Sequence, residues 1–231
     1  GMLWSAVAAQ AATTGSGKAA TEAREVSGFA AITLRGDMNI VVRQGARESV
    51  QVTADDNLLP LLQTVVESRG DQRTLVIQWP RGQTIRSRAK TVVTVDVVKL
   101  TALASSGSGD IAVEALHTPE LTLSISGSSD AKLSRLDSDR LRVVIAGSGD
   151  VQASGKAGKF SLSIAGSGDV HARELAADDV DISIAGSGDA RVQANKTLAV
   201  SIAGSGDVEH TGSAKVTQSR IAGSGSIRPR P

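Results

Sequence analysis

The chain has 231 residues, with 25 basic against 24 acidic side chains, a net charge of +1 and 40% apolar content. That suffices for one large all-β domain or two small ones, and near-neutrality leaves no electrostatic footprint for nucleic acid and no polybasic patch for a membrane surface. Cysteine and tyrosine are absent and Phe and Trp number two each, which excludes disulfides and thiol or zinc–thiolate chemistry. It also leaves little with which to build the aromatic platforms of sugar clefts and single-strand grooves.

The chain opens on a short apolar run, residues 2–12, that closes on Ala9-Gln10-Ala11. This pattern resembles the end of a signal peptide with an A-x-A cleavage site; its basic leading region is missing, and an Ala-rich tail is the alternative. No Cys follows, so no lipid anchor is expected there. Residues 12–27 are small and polar and read as a linker. No apolar stretch approaches the ~20 residues of a membrane-spanning helix.

Residues 28–104 read as β structure. Phe29–Leu34, Asn39–Arg43 and Ser49–Thr53 have strand composition, and Asp55-Asp56-Asn57 before Leu58-Leu59-Pro60 predicts a short capped helical turn. Thr64–Glu67 and Thr74–Trp79 pair as a hairpin around Arg69-Gly70-Asp71, and Thr91–Val98 is a further strand. Such a half is suited to capping one end of a stack.

From residue 105 to 231 a repeat dominates. Gly-Ser-Gly-Asp or a near copy starts at Gly107, Gly127, Gly147, Gly166, Gly186, Gly204 and Gly223, at spacings of 18 to 20 residues. Strict alternation precedes each turn (Leu121, Leu123 and Ile125; Phe160, Leu162 and Ile164), and a second alternation follows it, as in Val151 and Ala153. Period two means a strand with one buried face. Each unit is therefore strand, tight glycine turn, strand and looser turn, and no unit can bury its apolar face without a stacked neighbour. The fold expected is an all-β solenoid, one continuous domain over 28–231, with a flat meander or sandwich left open as the alternative.

Taken together, the Phe29–Ile32 opening, the Asp56-Asn57-Leu58-Leu59 element, the Leu75–Ile77 strand and the glycine turns resemble the bacterial auto-transporter adhesin head family, the head GIN domain. The resemblance runs from about Phe29 to Ile227. It implies a β-helical superhelix of two sheets with Gly-Ser-Gly at the tight turn, pectate-lyase-like in shape but without a catalytic set, and a role in cell adhesion. One departure is that the sequence closes at Ile227-Arg228-Pro229-Arg230-Pro231, which leaves no length for a membrane anchor barrel after the repeats.

Candidate sites follow from the repeat. Asp110, Asp130, Asp150, Asp169, Asp189 and Asp207 would form a column one coil apart, at about 4.8 Å, and Ca²⁺ is the metal that oxygen ligands of this kind take. The plainer expectation is that each Asp caps its own turn. Arg35-Gly36-Asp37 and Arg69-Gly70-Asp71 have the form of integrin motifs and equally of ordinary turns. His117, His171 and His210 share no metal-ligand spacing. Ser124, Ser163, Ser183 and Ser201 align as an outward column. No catalytic residue and no cofactor are expected. The function expected is a non-enzymatic binding module, periplasmic, surface-exposed or secreted, with a glycan or protein as its surface ligand, open to homo-oligomerisation through its ends. A structural envelope scaffold is the alternative, and a polysaccharide-active enzyme the third reading, weakened by the shortage of aromatics.

Overall fold

The structure, a computed structural model, describes residues 11–231. The expected signal segment lies outside the described residues except for its last two positions. All but a single 3-10 turn, Leu59–Leu61, of the regular structure among the described residues is strand. The N-terminal strands are β1 (Thr13–Thr14), β2 (Ala19–Arg24), β3 (Ala31–Arg35), β4 (Asn39–Gln44), β5 (Ser49–Asp55), β6 (Gln63–Arg69), β7 (Gln72–Gln78), β8 (Ile85–Arg86) and β9 (Val92–Val97). The repeat supplies β10 (Ala102–Ser105), β11 (Asp110–Glu114), β12 (His117–Ile125), β13 (Asp130–Gly147), β14 (Val151–Gly166), β15 (Val170–Gly186), β16 (Ala190–Gly204), β17 (Asp207–Thr211), β18 (Lys215–Ala222) and β19 (Ser226–Pro229).

Successive repeats pair in parallel and in register, with Leu123, Val143, Leu162, Ile182 and Val200 directly above one another on one face. On the other face Ile111, Ala131, Val151, Val170, Ala190 and Val208 form the matching inward column. Only a coil that advances one strand spacing per repeat gives this pairing, so the chain is a β-solenoid and the antiparallel meander is excluded. The inward columns form one continuous core. Each fully buried Val, Leu, Ile or Phe contributes about 1.5–3 kcal/mol, and Phe160 is the largest of these side chains.

The two turns of each coil differ. At the tight turn Gly166 has φ +132°, and a Cβ on it would stand 2.4 Å from the Gly147 carbonyl oxygen. Gly168 has ordinary φ, but a Cβ there would lie 2.2 Å from the Gly149 carbonyl oxygen. From Gly147 onward the first glycine of the repeat thus answers to both backbone angle and close stacking, the second to stacking alone, whereas in the first copy the positive φ falls on the second glycine, Gly109. The looser turns predicted from sequence are not loops. The ladder continues through them, so β13 to β16 each run unbroken from one face to the next. Leu136, Ala157, Leu175 and Ala177 point inward there and are buried.

The N-terminal half lays its coils out of chain order. β3 and β4 form one coil, continued upward by β10 and β11. Between β4 and β10 the chain first passes beneath this coil, β7 pairing with β3 and β9 with β4, both in parallel. The edges of this lowest coil are covered by antiparallel strands, β6 on β7 and β5 on β9, with β2 added outside β5. Residues 13–24, expected as linker, therefore include an edge strand of the sheet and the short β1–β8 pair. The turn of Arg35-Gly36-Asp37 lies under the first glycine turn, since a Cβ on Gly107 would meet the Gly36 carbonyl oxygen at 2.1 Å. It is the bottom step of the glycine-turn column. Arg69-Gly70-Asp71 is the exposed β6–β7 hairpin turn, with Gly70 at φ +59°.

Candidate functional site, an outer-face trough

The outward residues between the buried ones are also stacked. On the face formed by β11 and the first halves of β13 to β16, Ala112, Lys132, Gln152, His171, Arg191 and Glu209 stand in one column. With strands spaced at ~4.8 Å, Lys132 and Arg191 are about 14 Å apart along it. Beside this column the ladder slips, with register shifts between Leu133 and Leu136, between Gln152 and Ser154, and between Ala172 and Ala176. The extra residues of β15 push Arg173 and Glu174 outward while Leu175 stays buried. The bulge forms one wall of a depression of about 350 Å³, floored by Lys132, Gln152 and His171 and bounded by Ser154, Arg173, Glu174 and Arg191. A second depression, of about 470 Å³, shares Lys132, Gln152 and His171 and reaches Asp110, Asp130 and Asp150. The two make one open trough, acidic along the glycine-turn edge and with Lys132, Arg173 and Arg191 outnumbering Glu174 along the bulge.

The acidic edge is built differently from the expected caps. From Asp130 to Asp207 each carboxylate serves the coil above rather than its own turn. Asp130 Oδ1 accepts the Asp150 N–H at 2.9 Å, Asp150 that of Asp169 at 2.8 Å, Asp169 that of Asp189 at 2.9 Å, and Asp189 that of Asp207 at 2.8 Å. Asn39 Oδ1 does the same for the Asp110 N–H below, and Asp207 accepts the Ser226 hydroxyl above. A charge-assisted bond to backbone N–H offsets the mutual repulsion of a carboxylate column. Among the described residues no three His, Asp or Glu groups converge as a metal site.

The basic edge centres on Glu209. Arg173 Nη2 lies 2.7 Å from its Oε2, Arg191 Nε 3.5 Å from the same oxygen, and Arg230 Nη2 2.9 Å from Oε1. The Arg230 hydrogen bond, helped by Arg173 and Arg191, holds this carboxyl below its usual range against the upward push of burial. Three guanidinium groups on one carboxylate leave a local excess of positive charge, and Lys132 adds to it without a carboxylate of its own in ion-pair reach among the described residues. This cluster escaped the sequence reading, although the 18-residue step from Arg191 to Glu209 is one coil.

The histidines are dispersed. His171 is in the trough floor, His117 Nδ1 pairs with Asp137 at 3.2 Å on another side, and His210 is half-buried above Val192, where burial pushes its pKa down. Ser124, Ser163, Ser183 and Ser201 do align on the opposite face, interrupted by Val144. A residue of note elsewhere is Asp55, fully buried at the base of the stack. Burial pushes its pKa up, but N–H groups of Ala89, Gly17 and Arg88 outweigh this and hold it below the carboxylate norm. It ties the start of the chain to the loop before β9, with bonds of 2.8 Å to Gly17 and 3.1 Å to each of Arg88 and Ala89.

Comparison with known proteins fits this architecture. A family model described as "Putative auto-transporter adhesin, head GIN domain" matches residues 28–214. Among solved structures, a "putative adhesin" from Bacteroides fragilis is 26% identical with a TM-score of 0.85, over 94% of this chain and 100% of that one. A "putative adhesin" from Parabacteroides distasonis is 25% identical, with a TM-score of 0.72 over 95% and 100% of the two chains. A "Putative lipid binding protein" from the same species shares the fold at 24% identity and a TM-score of 0.77, over 96% and 100%. No curated protein matches the chain significantly.

Proposed function

The chain belongs to the auto-transporter adhesin head family, the head GIN domain, and on that premise we propose that it is a non-enzymatic binding module that works outside the cytoplasm and holds a ligand against an outer face of its solenoid. The observation that carries this reading is the in-register column from Lys132 to Glu209 beside the β15 bulge. A parallel ladder fixes its side chains at constant spacing, so a binding surface is organised before a ligand arrives and little ordering entropy is lost on contact. A scaffold without a ligand has no use for a bulge that opens a polar trough in an otherwise regular face.

Self-association through the open C-terminal coil belongs to the same proposal as a subordinate arm. Two such ends would bring together Lys215, Arg220, Arg228 and Arg230 of each copy, all exposed, so association there should grow with salt. Sedimentation velocity at low and high ionic strength reads this directly.

The test of the binding role uses labelled residues 12–231 on a panel of glycans, matrix proteins and bacterial envelope fractions, with and without calcium. Saturable binding to one class is the expected result, and calcium dependence would bring the Asp column into the site. Binding to none of them would overturn the adhesin reading and favour the envelope scaffold.

A further inference from the structure

We propose that the trough takes an acidic polysaccharide, a chain of hydroxyl-rich sugars carrying intermittent carboxylates, with its carboxylates on the Lys132–Arg173–Arg191 side and its hydroxyls donating to the Asp130 and Asp150 side. The inference rests on the binding-module reading and specifies its ligand.

Sugar sites draw much of their affinity from stacking on aromatic rings, and the trough is lined by none. A neutral glycan would find only hydrogen bonds there, which exchange with water at small net gain. An anionic sugar finds charge. Lys132, Arg173 and Arg191 face the depression against the single carboxylate of Glu174, and the Glu209 carboxylate beside it is shared with Arg230 as well. Arg forks and a Lys ammonium suit carboxylates.

The opposite edge sets the charge density. Asp130 and Asp150 each commit Oδ1 to a backbone N–H of the next coil, which leaves Oδ2 to accept from a ligand. These carboxylates repel a densely charged polyanion such as nucleic acid, and they match a chain that presents hydroxyl donors. An acidic peptide brings carboxylates but only one backbone N–H donor per residue for that edge, against two or more hydroxyls on each sugar. Gln152 and Ser154 lie between the edges and can both donate and accept. The trough crosses coils along the stack axis, so an extended polymer can lie along it and meet equivalent positions coil after coil.

The experiment is calorimetric titration of residues 12–231, in EDTA, with hyaluronate, whose carboxylates stand on alternate sugars, with neutral dextran and with polyglutamate. It is repeated for K132E, for D150N and for R142E, the last a charge reversal on the opposite outer face. The expected result is binding of hyaluronate alone, weakened at least tenfold by K132E, weakened by D150N, and unchanged by R142E. Thermal melts of the variants confirm that each is folded. Polyglutamate bound as tightly as hyaluronate would replace the proposal with acidic-peptide docking. Equal losses in K132E and R142E, or no binding of hyaluronate, would overturn it. If hyaluronate fails while the surface panel still shows saturable binding, the binding-module reading stands and only the ligand assignment falls; if both fail, both fall.

Discussion

The two ends of the stack solve the same problem by different means. Any solenoid leaves a row of unpaired backbone groups and half-covered apolar side chains at its first and last coil. At the N-terminal end the chain itself does the covering. β6, β5 and β2 add antiparallel strands to the lowest coil, the 3-10 turn places Leu59 against the core, and Arg24 donates to the Leu59 and Leu62 carbonyls at 2.7 and 2.6 Å. At the C-terminal end no further strand among the described residues covers β18. All eight residues of β18 are exposed, Val216 and Ile221 at 43% each, although they stack on the buried Leu198 and Ile202. Cations and prolines stand there instead: Lys215, Arg220, Arg228, Pro229 and Arg230. The lesson is that an edge can be protected by structure or by charge, and charge protects only against association, not against fraying.

This contrast yields graded expectations. The largest effect belongs to the middle of the stack, which both ends protect. F160A removes a side chain that is 1% exposed and should cost about 3–5 kcal/mol in denaturant unfolding, with the whole solenoid weakened. D55A at the closed end leaves three backbone N–H groups without their acceptor and should cost about 3 kcal/mol. Its signature is faster hydrogen exchange at Gly17, Arg88 and Ala89, and unaltered exchange in β14 and β15 would show that the loss is local. At the open end, V216K and I221K should each change stability by no more than about 0.5 kcal/mol. A large effect there would mean that the last coil is covered in solution.

Acid should also open the ends in order. His210 is held below the ordinary histidine value of 6.5 by burial, so its contribution is complete above pH 6.5 and is lost as pH falls through the lowered value. Glu209 lies below the ordinary 4.5, chiefly through Arg230; its contribution is complete above pH 4.5 and fades below it. Asp55 lies below 3.8 and loses its contribution only in stronger acid. Exchange at β17 and β19 should therefore rise before exchange at Gly17 and Ala89 as pH is lowered. The reverse order would contradict the assignment of these groups to the two ends.

How far the sequence foretells this molecule depends on the range of the interactions. The repeat was legible because its causes are local. Period two at Leu121-Leu123-Ile125 fixes a buried face, and glycine at each corner marks a position where no Cβ fits. The swap of coil order at the base was not, because β7 and β9 look like any other β-rich segments until their partners β3 and β4 are known. Residues 13–24 read as linker because an edge strand that pairs on one side needs little apolar content. Asp55 carried the signature of a helix cap in Asp55-Asp56-Asn57, whereas its actual partners lie 33 to 38 residues away. The trough was legible only in part. The Asp column and His171 follow from the period, but the bulge at Arg173 and the Glu209 cluster arise from unequal coil lengths, and these appear only once the coils are stacked.

Hydrogen exchange of the free chain, residue by residue, at neutral pH distinguishes a strand-covered end from a charge-guarded one most directly. Exchange should be slowest in β13 to β16, intermediate at the β2–β5–β9 edge, and fastest in β18 and β19. Protection of β18 equal to that of β14 would contradict it, and would mean that the C-terminal edge is closed by something other than its charges.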